Sequence, residues 1–162
     1  MKRTGFIALL TVAACSLAVV AAQAADLKSP DKVKDALRIL AYVQADMASK
    51  LPNKAYNRLP HENEEFQEAA PALTDAIAAE PAAFKGKVAA QLKRAQGAAN
   101  EVAEISKSND EGKISAAVAA VAAALKPLNE MFPEALRPVP GQLGAGPGRR
   151  GQGGGSPPAD LR

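Results

Sequence analysis

Apolar residues near the end of the chain recur at a spacing that a helix places on one face. Ile114, Val118, Val121, Leu125, Leu128 and Phe132 follow one another at intervals of four, three, four, three and four residues. This spacing matches the 3.6-residue repeat of an α-helix with one buried stripe. The residues around the stripe are mainly alanines, which favour helix. The pattern therefore predicts a bundle helix.

Three earlier segments show the same periodicity, so the sequence predicts four helices in all. The first is expected to begin at Pro30, with Ser29 as its N-cap, and to end near Lys50. The second is expected over about residues 62–79. It contains Pro71, which predicts either a kink or two shorter pieces.

The last two predicted helices lie on either side of a short polar turn. The third is expected to start at Glu80-Pro81, with the proline at its first position, and to end near Lys107. Ser108 and Glu111 match a capping box and predict the start of the fourth helix, which is expected to reach about Arg137. Long helices, short connections and the lack of visible strands predict an all-α protein, an antiparallel up-down-up-down four-helix bundle over residues 25–137.

Residues 1–24 have the features of a secretory signal peptide. A short basic head precedes an apolar stretch, and the Ala-Gln-Ala triplet that ends at Ala24 fits the small-x-small rule for cleavage. Cleavage there predicts export to the periplasm. A second interpretation stays open, because residues 12–15 read as a lipobox that would make Cys15 the anchor of a lipoprotein. Neither interpretation predicts a transmembrane segment in the mature chain.

The C-terminal segment, residues 138–162, differs in composition from the predicted bundle. It contains eight glycines, five prolines and few apolar residues, so it cannot bury enough surface to offset its ordering entropy. The sequence therefore predicts a disordered tail. The formal net charge of +3 arises in the signal and the tail. The body between them is slightly acidic, and we therefore expect no nucleic-acid partner.

The third and fourth predicted helices resemble the second half of cytochrome c-prime. Phe84 and the lysines that follow it resemble the start of that family's third helix, and residues 109–113 resemble its polar turn. Residues 125–132 take the place of its Cys-x-x-Cys-His motif and the aromatic residue that follows. That family and its b-type relatives form periplasmic four-helix bundles around one haem. The resemblance therefore implies the same fold.

The residues at the motif position lack the chemistry of haem attachment. Leu125 and Leu128 align with the two cysteines, Asn129 with the haem-ligating histidine and Phe132 with the aromatic residue. Leucine forms no thioether and asparagine does not replace imidazole at iron. The resemblance therefore implies a divergent member without covalent haem, in which hydrocarbon fills the space.

Three residues are candidate metal ligands. His61 is the only histidine, and the glutamates after it suit either a helix start or loose binding of a divalent cation. Met47 lies on the inner stripe of the first helix, where methionine either packs or ligates copper or haem iron. Met131 is a third soft donor. Sequence spacing gives no reason to expect that the three converge.

Two functional hypotheses follow from these features. The first is a non-catalytic exported bundle without a cofactor, which acts as a binding or interaction module for an envelope protein or a small ligand. The second is a carrier of non-covalent haem b or copper that uses Met47 with His61 or Met131. An enzyme is not predicted, because the single histidine has no nucleophile near it in sequence. The oligomeric state is left open, a dimer included.

Overall fold

The computed structural model describes residues 27–139, and within that range the chain is all-helical with no strand. The four long helices are α1 at Pro30–Ser49, α2 at Leu59–Ala76, α3 at Ala82–Ile105 and α4 at Glu111–Glu130. Single 3-10 turns lie at Tyr56–Arg58, Ser106–Ser108 and Glu134–Leu136. The all-α prediction is thus confirmed for these residues. The predicted signal peptide, and the predicted tail beyond residue 139, lie outside them.

No helix between residues 27 and 139 is both long and apolar enough to cross a membrane.

Two prolines lie inside helices and end neither of them. α2 continues through Pro71, and α4 continues through Pro127. A proline inside a helix leaves one backbone carbonyl without its N–H partner. Pro71 is on the exposed side of α2, where water can hydrogen-bond that carbonyl. The second predicted segment is therefore one helix, and the alternative of two shorter pieces is wrong.

The starts of α3 and α4 differ from the predicted ones. α3 begins at Ala82 with Pro81 at the N-cap position, one residue later than predicted. α4 begins after Asp110, whose Oδ1 accepts a hydrogen bond from the backbone N–H of Lys113 at 3.1 Å. The predicted capping box of Ser108 and Glu111 is therefore wrong by two residues. Aspartate and serine are equally favoured N-caps, so the sequence pattern did not distinguish them. Ser29 takes the N-cap position of α1, but its side chain makes no cap hydrogen bond.

One continuous apolar core joins the four helices. The predicted inner stripes are buried in it, except for Ile105 at the end of the third stripe, which is partly buried. The largest fully buried side chains are Phe66, Phe84, Phe132, Leu37, Leu40, Met47, Leu59, Leu73, Ile77, Ile114, Leu128 and Val33. Every helix contributes to this set, so each helix is held by tertiary packing in addition to its own propensity.

Consecutive helices contact each other, and α1 also contacts α4. After the end of α1, the ammonium of Lys54 lies 2.8 Å from a carboxylate oxygen of Glu111 at the start of α4. At the other end of α4, the rings of Phe84 and Phe132 meet edge to face with centroids 5.7 Å apart. Before α1, the backbone N–H of Lys28 donates to Oε1 of Glu80 at 2.7 Å. These contacts show which helix ends lie next to each other.

Candidate functional site

The residues that the resemblance to cytochrome c-prime aligns with the haem motif lie on the last turns of α4 and just after it. Leu125 and Leu128 are buried, Phe132 is 1 % exposed, and Asn129 is half-buried. Phe132 packs edge to face against Phe84, with an interplanar angle of 85°. Edge-to-face packing is a favoured geometry for aromatic pairs. Hydrocarbon side chains therefore occupy the interior at this position.

His61 lies on the first turn of α2 with a side chain that is 62 % exposed. Its Nδ1 is 3.6 Å from Oε2 of Glu64, and its Nε2 is 3.3 Å from Oε1 of Glu65. These acids lie three and four residues further on, which is the spacing at which helical side chains meet. The arrangement is that of an exposed helix face.

Met47 and Met131 lie in different surroundings from His61. Met47 is fully buried in the core near the end of α1, whereas Met131 directly follows α4 and is half-buried against the core. α4 has 20 residues, so its ends lie about 30 Å apart. Met131 is at the end of α4 that carries Phe132, whereas the end of α1, which carries Met47, contacts the start of α4 through Lys54 and Glu111. Metal or haem binding by these residues stays a prediction.

Among residues 27–139, no group of three or more histidine, cysteine, aspartate or glutamate side chains is arranged to hold a metal ion.

The structure shows a charged group at the connection between α1 and α2, which we call the corner cluster: Asp46, Lys50 and Glu62. Nζ of Lys50 lies 2.9 Å from Oδ1 of Asp46 and 3.2 Å from Oε1 of Glu62. The side chains of Lys50 and Asp46 are 21 % and 30 % exposed, whereas that of Glu62 is 6 % exposed. The cluster thus ties the first turn of α2 to the last turn of α1.

Burial raises the pKa of Glu62 above its ordinary value of 4.5. The nearby Asp46 carboxylate also raises this pKa, and Lys50 opposes the rise. Partial burial acts to raise the pKa of Asp46, but hydrogen bonds from Lys50 and Ser49 outweigh it and hold that pKa below 3.8. The hydrogen bond to Asp46 raises the pKa of Lys50. The cluster therefore favours charged Asp46 and Lys50, and Glu62 keeps its proton to a higher pH than an ordinary glutamate does.

Sequence reasoning did not identify the corner cluster, although one signal was present. The position of Glu62 near the predicted start of the second helix suits an acid that favours the helix N-terminus. The observed α2 begins one turn earlier than predicted, at Leu59. Leu59, Glu62 and Phe66 are separated by three and four residues and are all buried. Glu62 therefore continues the inner stripe of α2, and that spacing was available in the sequence.

No family model matches this chain, and comparison with curated proteins and with solved structures gives no match. The resemblance to cytochrome c-prime therefore depends on the motif positions described above. Fold and function are inferred from the side chains of this chain alone.

Proposed function

We propose that this protein is an exported, non-catalytic helical-bundle protein that serves as a binding or interaction module in the cell envelope. Its fold would be similar to that of cytochrome c-prime, without covalent haem. The observation that carries the proposal is the burial of Leu125, Leu128 and Phe132 at the haem-motif position. A haem needs a pocket of several hundred cubic ångströms, and these side chains would fill much of it.

We further propose that the four helices form an antiparallel up-down-up-down bundle. Three contacts support this arrangement. The pair of Lys54 and Glu111 joins the end of α1 to the start of α4, and the ring pair joins the start of α3 to the end of α4. Lys28 joins the start of α1 to the connection between α2 and α3. Short connections between successive helices favour the same topology.

Export is proposed from residues 1–24, whose basic head, apolar stretch and Ala-Gln-Ala triplet fit a cleavable signal. The mature chain would then start at Ala25 in the periplasm and contain no cysteine. The alternative is a lipoprotein anchored at Cys15. In either form the partner would be an envelope protein or a small ligand.

The absorption spectrum of the protein purified from the periplasm tests the absence of haem. We expect ultraviolet absorption from the two tyrosines and no Soret band, because hydrocarbon occupies the motif position. Metal analysis of the same sample covers copper(I), which is colourless. A Soret band that disappears in Met47→Leu would contradict the proposal and favour the haem carrier. Copper that is retained at one ion per chain would favour the copper carrier.

A further inference from the structure

Two buried side-chain atoms in residues 27–139 have no hydrogen-bond partner, and both belong to the same corner of the protein. They are the hydroxyl of Tyr56, in the turn before α2, and Oε2 of Glu62, on the first turn of α2. Nearly all buried polar groups in folded proteins are hydrogen-bonded, so each exception calls for an explanation. For Glu62 the explanation lies in its protonation state.

The carboxyl groups of Asp46 and Glu62 share one cation, because Nζ of Lys50 lies 2.9 Å from Oδ1 of Asp46 and 3.2 Å from Oε1 of Glu62. Two ionised carboxylates only accept hydrogen bonds, so a bond between these neighbours would require a proton on one of them. Glu62 is the more buried of the two, and Asp46 already accepts from Lys50 and Ser49 at 2.9 Å each. The proton therefore belongs on Glu62, which would donate to Asp46.

We propose that the corner cluster is a proton-operated clasp between α1 and α2. With its proton in place, Glu62 donates to Asp46, Lys50 contacts both carboxyl groups, and the cluster is neutral. When Glu62 loses its proton, the cluster has two negative charges and one positive charge, and a buried carboxylate oxygen is left without a donor. That state is costly in a buried site, so the connection between the helices loosens.

The surroundings of Glu62 contain few other charges. From α1, Asp46 and Lys50 are the charged groups that shift its pKa. Other groups at this corner include the hydroxyl of Tyr56, the exposed Arg58 in the same turn and the exposed pair of Lys54 and Glu111. His61 lies on the first turn of α2 with Glu64 and Glu65 as its partners. From α3, the side chains that hydrogen-bond α2 are the neutral amides Gln96 and Asn100. Above pH 4.5 the clasp therefore responds to the proton of Glu62, whereas Asp46 titrates below pH 3.8.

The direction of the pH effect follows from the raised pKa of Glu62. In the folded protein the pKa of Glu62 lies above its ordinary value of 4.5. The stabilisation that this proton provides is therefore fully present below pH 4.5. It is lost as the pH rises through the folded pKa, by up to about tenfold in the folding equilibrium constant per pH unit. Asp46 acts oppositely, since its lowered pKa makes its contribution disappear as the pH falls.

Carboxyl-carbon NMR titration of the purified protein, with amide hydrogen exchange at each pH, tests the clasp. We expect Glu62 to titrate above 4.5. The protection of the backbone amides of residues 50–58 against hydrogen exchange should fall over the pH range in which Glu62 loses its proton.

Two variants test the charges next to Glu62. Asp46→Asn should lower the pH midpoint of the Glu62 titration and Lys50→Met should raise it, because the first removes a negative charge and the second a positive one. A Glu62 midpoint at or below 4.5 would overturn the proposal.

Glu62→Gln keeps the size of the side chain and a donor, and it removes the titration. Protection of residues 50–58 in this variant should be independent of pH between about pH 5 and pH 8. Glu68→Gln, on the exposed side of α2, is the matched control and should keep the wild-type pH dependence. If Glu62→Gln does not fold, the measurement on the wild-type protein still tests the clasp. Amide protection of residues 50–58 that stays constant while Glu62 titrates would contradict it.

Discussion

Phe132→Ala lowers the free energy of unfolding by about 3–5 kcal/mol, the usual cost of truncating a buried phenylalanine. Phe132 is 1 % exposed and its ring meets that of Phe84, so the smaller side chain leaves a cavity and loses the aromatic contact. Urea unfolding followed by far-ultraviolet circular dichroism measures the change. Lys126→Ala, on the exposed side of α4, is the control and should stay within about 0.5 kcal/mol of wild type.

A double-mutant cycle separates the ring contact from burial. Phe84→Ala and Phe132→Ala should be coupled by about 0.5–1.5 kcal/mol, the range measured for aromatic pairs. Single and double variants whose effects simply add would show that the two rings do not interact in solution. That result would remove one of the contacts on which the helix arrangement depends.

Leu128→Ala lowers the free energy of unfolding by about 2–5 kcal/mol. Leu128 is fully buried, so its truncation to alanine leaves a cavity in the core near the end of α4. Leu128→Met conserves volume and should cost less than about 1.5 kcal/mol. The same urea experiment measures both variants. A change within about 0.5 kcal/mol in Leu128→Ala would show that this residue is not part of the core.

The sequence predicted the helices and their buried faces because both depend on local information. An apolar residue at every third or fourth position leaves little choice of which side turns inward, and the stripe from Ile114 to Phe132 is buried as expected. The limits of the helices were less well predicted. Pro71 does not break α2, because water can hydrogen-bond the single unpaired carbonyl on the exposed side of the helix.

The corner cluster could not be predicted in the same way, because it depends on which helix ends meet. Lys50 directly follows α1 and Glu62 lies twelve residues later on α2. Their ion pair forms only when the connection between the two helices reverses the direction of the chain. The inward position of Glu62 was readable from its spacing to Phe66, but the presence of Lys50 opposite it was not. Patterns within one helix carry no information on contacts between helices.

A nuclear Overhauser spectrum of the aromatic side chains shows directly whether the interior of the bundle is closed at the end of α4. Side chains close the interior at the end of α4 in this structure. We expect cross-peaks between the ring protons of Phe84 and Phe132, whose centroids lie 5.7 Å apart. If both rings are assigned in the folded protein and show no cross-peak, the interior is open at this position and the claim is contradicted.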